Sequence, residues 1–308
     1  MTKLTASLVR DLREKTGGGM MDCKRALSEC DGDFEAAIDW LRKNGLVRAQ
    51  KKAGRVASEG LIGACVTKGR GDLVEINAET DFVARNIEFI EFVGNVAQMA
   101  HHADGDLDQL NRLAMENGDS IEANLTELTA RIGERIAARR IAGLAVEAGI
   151  VASYLHDRRS DLTGRIGVLV ALESTGDEAS LMKLGREIAM HCAAARPRYL
   201  HVGEVEAEVL EREREVLAAQ ARASGKPESV IEKMVEGRLR KFYEEIVLEA
   251  QIFVVDGKRT IAQLLADEQA RLGVPIKLAG FVRFELGEGI EKRQDDFAAE
   301  VRATAQGN

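Results

Sequence analysis

The sequence predicts an α+β protein: a small N-terminal helical bundle, a mixed core in two subdomains, a protruding antiparallel helical hairpin and a C-terminal helix. Three observations predict it. Near the N-terminus apolar residues recur at helical spacing, with no strand-like run among them. Further on, an apolar run of strand length leads into a helical apolar stripe, and the unit occurs twice. Between residues 203 and 250 the composition becomes strongly charged, with two helical stripes flanking Ser224-Gly225-Lys226-Pro227.

The first unit, residues 1–56, begins with a helix marked by Leu4, Leu8, Val9 and Leu12. A second helix follows from 20 to 27, and Phe34, Ile38 and Leu41 mark a third behind the turn and N-cap residues Asp31-Gly32-Asp33. Arg42, Lys43, Arg48, Lys51, Lys52 and Arg55 then form a basic run without an intervening acidic residue, broken by Asn44-Gly45. It reads either as a solvated linker helix or as a contact for an acidic partner surface or RNA. Gly17-Gly18-Gly19 invites a phosphate-binding reading, but it lacks the preceding strand and the Gly-Lys-Ser/Thr ending of a P-loop.

Residues 57–155 form the first core subdomain. Leu61-Ile62-Gly63-Ala64-Cys65-Val66 and Leu73-Val74-Glu75-Ile76 read as strands joined by a turn at Arg70-Gly71-Asp72. Thr80-Asp81-Phe82-Val83-Ala84-Arg85-Asn86 is then a strand-to-helix corner, followed by the stripe Phe89, Val93, Val96 and Ala100. Phe82 is either an aromatic offered to a partner's pocket or a core residue beside a helix cap at Asp81. From 107 to 148 the pattern reads as helical, ending in basic Arg135, Arg139 and Arg140.

The second subdomain opens at 156–202, where Arg165-Ile166-Gly167-Val168-Leu169-Val170 resembles the first strand and Leu181, Leu184, Ile188, Cys192 and Ala195 form the stripe behind it. The hairpin occupies 203–250, its second helix carrying Ile231, Val235, Leu239, Phe242 and Ile246 on one face. Over 251–290 the chain returns to the core through Ile252-Phe253-Val254-Val255, an Asp256-Gly257 turn, a helix over 261–272 and an alternating strand over 281–286. Residues 291–308 end in a polar helix over 294–306, with Phe297 and Val301 on one face.

Composition narrows the function classes. A chain of 308 residues, 45% hydrophobic and 31% charged, can bury a substantial core. No apolar run approaches the roughly 20 residues of a membrane span, and the start lacks a signal peptide's apolar segment, so a cytoplasmic protein without membrane association is expected. Cys23, Cys30, Cys65 and Cys192 are scattered and suggest neither a zinc site nor a disulfide framework. A net charge of −8 argues against stable nucleic-acid binding. None of His101, His102, His156, His191 and His201 belongs to a metal-binding helix motif, and neither a nucleophile elbow nor a dinucleotide fingerprint occurs. An enzyme is not expected, and no metal or cofactor is predicted.

The corner at Thr80 has company. Together with Thr5-Ala6-Ser7-Leu8-Val9-Arg10, Thr16-Gly17-Gly18-Gly19-Met20-Met21-Asp22-Cys23-Lys24, Ile188-Ala189-Met190-His191, Lys233-Met234-Val235-Glu236-Gly237-Arg238, Gly280-Phe281-Val282-Arg283-Phe284-Glu285 and Gly287-Glu288-Gly289-Ile290-Glu291-Lys292, it resembles the bacterial elongation factor Ts family, in order and over nearly the whole chain. That resemblance implies a ubiquitin-associated-like fold for the three-helix bundle and an interaction or dimerisation role for the hairpin. It implies a guanine nucleotide exchange factor of translation elongation that binds elongation factor Tu with GDP and promotes GDP release by disturbing Mg²⁺ and phosphate binding. Thr80, Asp81, Phe82 and Val83 would be the stretch that dislocates the partner's Mg²⁺, with Phe82 as wedge. Lys24, Ile166, Gly167, His191 and Val254 match partner-binding positions. His191 also reads as a histidine satisfied by local hydrogen bonds beside an apolar stripe. Arg302-Ala303-Thr304-Ala305 lacks the methionine found there in some relatives. A homodimer and a two-fold heterotetramer both stay open, and a non-exchange adaptor built on the bundle and hairpin is the alternative function.

Overall fold

The computed structural model describes residues 5–223 and 227–291. Helix α1 (Ala6–Thr16) starts where the Thr5 hydroxyl accepts from the Leu8 N–H and stops where Gly17 takes up a left-handed conformation. Helices α2 (Met20–Glu29) and α3 (Phe34–Lys52) complete the bundle around Leu12, Cys23, Ala26, Leu27 and Ala37. Helix α3 runs straight through Asn44-Gly45, and since a Cβ on Gly45 would lie 2.8 Å from that of Ala130, the glycine allows close approach of a second helix. Arg42, Lys43, Lys51 and Lys52 therefore sit on one continuous helix.

Beyond the bundle two sheets are built on one plan. In the first, β1 (Glu59–Thr67) and β2 (Arg70–Ala78) form a hairpin, α4 (Ile87–Met99), α5 (Leu107–Arg112) and α6 (Ile121–Ile132) follow, and β3 (Ile136–Ala145) pairs antiparallel with β2. In the second, β4 (Gly149–His156) precedes the two-residue β5 (Thr163–Gly164) and then pairs with β6 (Ile166–Glu173). Helices α7 (Glu178–Ala195), α8 (Ala207–Arg222), α9 (Glu228–Ile246) and α10 (Ile261–Leu272) follow, and β7 (Lys277–Glu285) pairs with β6. The strand orders are β3-β2-β1-β5 and β4-β6-β7, so each unit places its third strand beside its second. The edge strand β5 joins the first sheet from within the second unit. A boundary at 155/156 falls inside β4.

The two sheets pack face to face and each carries helices behind it. Leu61, Val74 and Ile76 face α4 and α6, whereas Ile62, Ala64 and Leu73 share a cluster with Val151, Leu169, Ala171 and Phe284 of the second sheet. On the far side Val168, Val170 and Leu172 pack with Leu181, Leu184 and Ile188 of α7 and with Leu264 of α10. Gly167 lies in the middle layer, where a Cβ would stand 2.6 Å from Ile62 Cγ2. Leu217, Ala221, Ile231, Val235 and Leu239 form a separate cluster drawn from α8 and α9 alone.

Two local expectations are corrected. The β1–β2 turn is Lys68-Gly69, not Arg70-Gly71-Asp72: Thr67 pairs with Arg70, and Gly69 supplies the positive φ that a two-residue hairpin loop requires. The helical reading of 107–148 holds only through α5 and α6. Arg135 precedes β3, and Arg139 and Arg140 lie on that strand, where a bulge opposite Glu75 disguises the alternation. Arg139 and Arg140 consequently both reach the buried Glu75 carboxylate, which also accepts from Asn77 Nδ2 at 3.0 Å and the Gly287 N–H at 2.8 Å, tying the end of β7 to the first sheet. In the return segment Ile252 makes one isolated bridge to Thr260, and residues 254–256 form a turn. The expected helix over 294–306, the hairpin tip at 224–226, Leu4 and the C-terminal Arg302-Ala303-Thr304-Ala305 lie outside the described residues.

Candidate functional site

Between the end of β2 and the start of α4 the chain spends residues 79–86 on a corner. The Thr80 N–H donates to Glu134 Oε2 at 2.9 Å and its hydroxyl to Glu134 Oε1 at 2.7 Å. Val83 and Ala84 open a 3-10 turn, Val83–Arg85, and are buried among the residues under α4. Asn86 caps α4, its Oδ1 accepting from the Glu88 N–H at 2.9 Å. Asp81 therefore is not the cap; it accepts from Arg85 Nη2 at 2.9 Å. Phe82, held between the tethered Thr80 and the buried Val83, is 76% exposed. A benzyl group so placed gains nothing from this chain's own core, and Ile87, likewise exposed, stands five residues on.

The second group of candidates lies in the other unit. His191 on α7 is fully buried. The Val254 N–H donates to its Nδ1 at 3.3 Å, and its Nε2 stands 2.9 Å from Gln251 Oε1. The acceptor role of Nδ1 fixes the neutral tautomer with the proton on Nε2. Burial is the main cause of a pKa held below the usual value of 6.5, with Gln251 opposing it. Gln251 in turn donates to the Glu245 and Ala195 carbonyls at 2.8 and 3.2 Å. What reaches the surface is Val254, 46% exposed beside the buried Phe253. Ile166 is half-buried at the start of β6, and Gly167 is buried between the sheets. Lys24 is exposed on α2, near the exposed Met20 and Met21.

The structure thus brings His191 and Val254 together, keeps Thr80–Val83 on the first unit and leaves Lys24 on the bundle. Glu134 and Glu79 escape sequence reasoning. Glu79 Oε1 accepts from the Arg135 N–H at 2.7 Å, the reverse of the Thr80–Glu134 contact. The partners are 54 and 56 residues apart, with no local pattern linking them. Among the described residues no group of three His, Cys, Asp or Glu side chains is placed to hold a metal ion, and no helix is long and apolar enough to cross a membrane.

A family model described as Elongation factor TS matches residues 79–288, the span that holds the corner, the second sheet and the hairpin. Proteins named Elongation factor Ts are similar over almost the full length. The one from Rhodospirillum rubrum is 59% identical over 305 residues, covering 98% of this chain and 99% of its own. That from Gluconobacter oxydans is 54% identical over 305 residues, covering 99% of each. That from Rhizobium johnstonii is 49% identical over 308 residues, covering both entirely.

Proposed function

The chain belongs to the elongation factor Ts family, the nucleotide exchange factors for elongation factor Tu in translation elongation, and from that premise we propose that its corner at Thr80–Val83 expels GDP by dislocating the partner's Mg²⁺. An exchange factor performs no covalent chemistry and is not an enzyme. Its task is energetic. A GTPase holding GDP at nanomolar affinity has about 12 kcal/mol of binding free energy, part of it from phosphate contacts and from a Mg²⁺ that demands near-octahedral ligands. A protein that binds the nucleotide-free form more tightly than the loaded form must weaken nucleotide by the same factor. A rigid aromatic inserted beside the metal and phosphate loop is suited to that work, and the exposed Phe82 on a tethered corner is the observation that carries the reading.

Lys24 on the bundle and Val254 on the second unit would add grip, both being exposed. His191 would act through Val254, whose N–H it holds. Ile166 would contribute its half-exposed edge, and Gly167 would serve the close approach of the sheets beneath it. The protein would work in the cytoplasm, where translation runs. The test is stopped-flow release of a fluorescent GDP from elongation factor Tu: saturable acceleration supports the reading, and none at saturating concentration leaves the adaptor reading. Chelating Mg²⁺ should shrink the acceleration over spontaneous release. An acceleration unchanged by EDTA would move the action from the metal to the base or phosphate pocket.

A further inference from the structure

We infer that Glu134 is a positioning residue for exchange: its carboxylate locks the Thr80 backbone so that Phe82 is presented rigidly, a role that rests on the proposed action of the corner. The geometry behind this lies where two strands end. The β2–β3 ladder closes with Ala78 opposite Ile136. Past that point the backbones have no ladder partners, and two carboxylates take over. Glu134, preceding β3, receives both the N–H and the hydroxyl of Thr80, while Glu79, following β2, receives the N–H of Arg135. Each segment thus caps the other. Carboxylates accepting backbone N–H groups make strong, charge-assisted hydrogen bonds.

The lock matters because Phe82 cannot orient itself. An exposed benzyl group has no packing to fix it, so its direction is inherited from the flanking backbone: Val83 and Ala84 buried on one side, Thr80 on the other. Freeing Thr80 would leave only the first of these anchors, and a wedge that must order itself on binding loses effect in proportion. The clamp also reaches the chain leaving the bundle. Arg55 Nη1 lies 3.1 Å from Glu79 Oε2, Arg135 donates to the Arg55 carbonyl, and Lys52 donates to the Gly133 carbonyl. The corner is therefore braced from the end of α3 as well as from β3.

The test compares Glu134→Ala with Glu134→Gln, each alone and combined with Phe82→Ala, in the full chain. Glutamine can still accept the Thr80 N–H through its amide oxygen and offer its amide nitrogen to the Thr80 hydroxyl. Backbone amide hydrogen exchange at Thr80 reads the lock directly, and it should quicken by about tenfold or more in Glu134→Ala while the ladder amides of β2 keep their rates. The maximal rate of GDP release from elongation factor Tu should fall about tenfold in Glu134→Ala, as small misplacements of positioning elements do, and return to within about twofold of the parent in Glu134→Gln. In the Phe82→Ala background, Glu134→Ala should add less than about twofold, because two residues acting through one wedge are not additive. An unchanged Thr80 exchange rate would overturn the lock. Equal losses in both backgrounds would overturn the positioning role, since Glu134 would then serve the fold or meet the partner itself. If the parent protein failed to accelerate release, the exchange reading would fall, and the Thr80 measurement would still decide whether the lock holds.

Discussion

In each unit a helix follows the second strand, and the two connections differ in length and in what they offer. In the second unit residues 174–177 suffice: the Ser174 hydroxyl donates to the Pro275 carbonyl at 2.7 Å, and Asp177 caps α7 through the Ser180 N–H at 2.8 Å. In the first unit the chain takes residues 79–86, and Asn86, not Asp81, does the capping. The additional residues form a 3-10 turn anchored inward by Val83 and Ala84, which lifts Phe82 away from the body. The short corner only ends a strand and starts a helix, whereas the long one carries a side chain its own fold does not use. The contrast extends to the other candidate, because the second unit buries His191 and exposes Val254 in its place.

The largest effect expected from this contrast is on stability in the second unit. His191→Ala leaves a cavity beside Phe253 and strands both Gln251 Oε1 and the Val254 N–H, which should cost about 3 kcal/mol and lower the melting temperature by several degrees. Thermal unfolding checks it. A variant that melts normally yet loses exchange would put His191 itself in the interface and break the comparison.

The opposite signature is expected at Phe82. Truncating an exposed anchor should leave the melting temperature within about a degree, since little of the ring is buried at home. Exchange should slow by about thirtyfold, corresponding to about 2 kcal/mol of lost contact. Early melting of Phe82→Ala would mark the residue as structural and remove the wedge.

The sequence made the corner legible because an apolar run, a carboxylate-aromatic pair and a helical stripe follow one another within 30 residues. It left open whether Phe82 points in or out, because hydrophobicity alone does not separate a core aromatic from an anchor; exposure in the fold does. The helix over 261–272 was readable from its periodicity, and the structure forms it as α10 with a capping box at Thr260 and Gln263. Strand β3 was not, since consecutive Arg139 and Arg140 break the alternation, and only the bulge against Glu75 accounts for them. The Glu134 lock was invisible for a different reason: it joins segments distant in sequence through a single acidic residue in an acidic chain.

A smaller effect sharpens the comparison through pH. Burial holds His191 neutral, with the Gln251 contact opposing it, so its pKa in the folded protein lies below the unfolded value of 6.5. As pH falls below that value the unfolded chain takes up a proton that the folded chain refuses, and stability declines until the folded pKa is reached; above pH 6.5 the contribution is complete. Melting curves between about pH 8 and pH 5 should therefore show a loss that His191→Gln abolishes, because glutamine does not titrate in this range. An equal loss in that variant would assign the decline to other groups.

The smallest effect is expected where a large segment is removed. Helices α8 and α9 hold Leu217, Ala221, Ile231, Val235 and Leu239 against one another, and only at their base do Val205, Phe242, Ile246 and Val247 meet Tyr199 at the edge of the body. Replacing residues 214–241 with a short Gly-containing turn takes away the outer cluster whole and leaves the basal one intact, so no half-core is exposed. The corner with Phe82 belongs to the first unit and has no part in either cluster. The shortened protein should stay folded and accelerate GDP release to within about twofold of the parent, as expected of distant, independent sites. Any self-association should weaken, since the exposed Val216 and Val230 leave with the segment. Sedimentation equilibrium and the release assay, run on the same preparation, separate these outcomes. A folded but inactive protein would mean that the hairpin grips the GTPase while the corner works, and the exchange machinery would then have to be assigned to both units together.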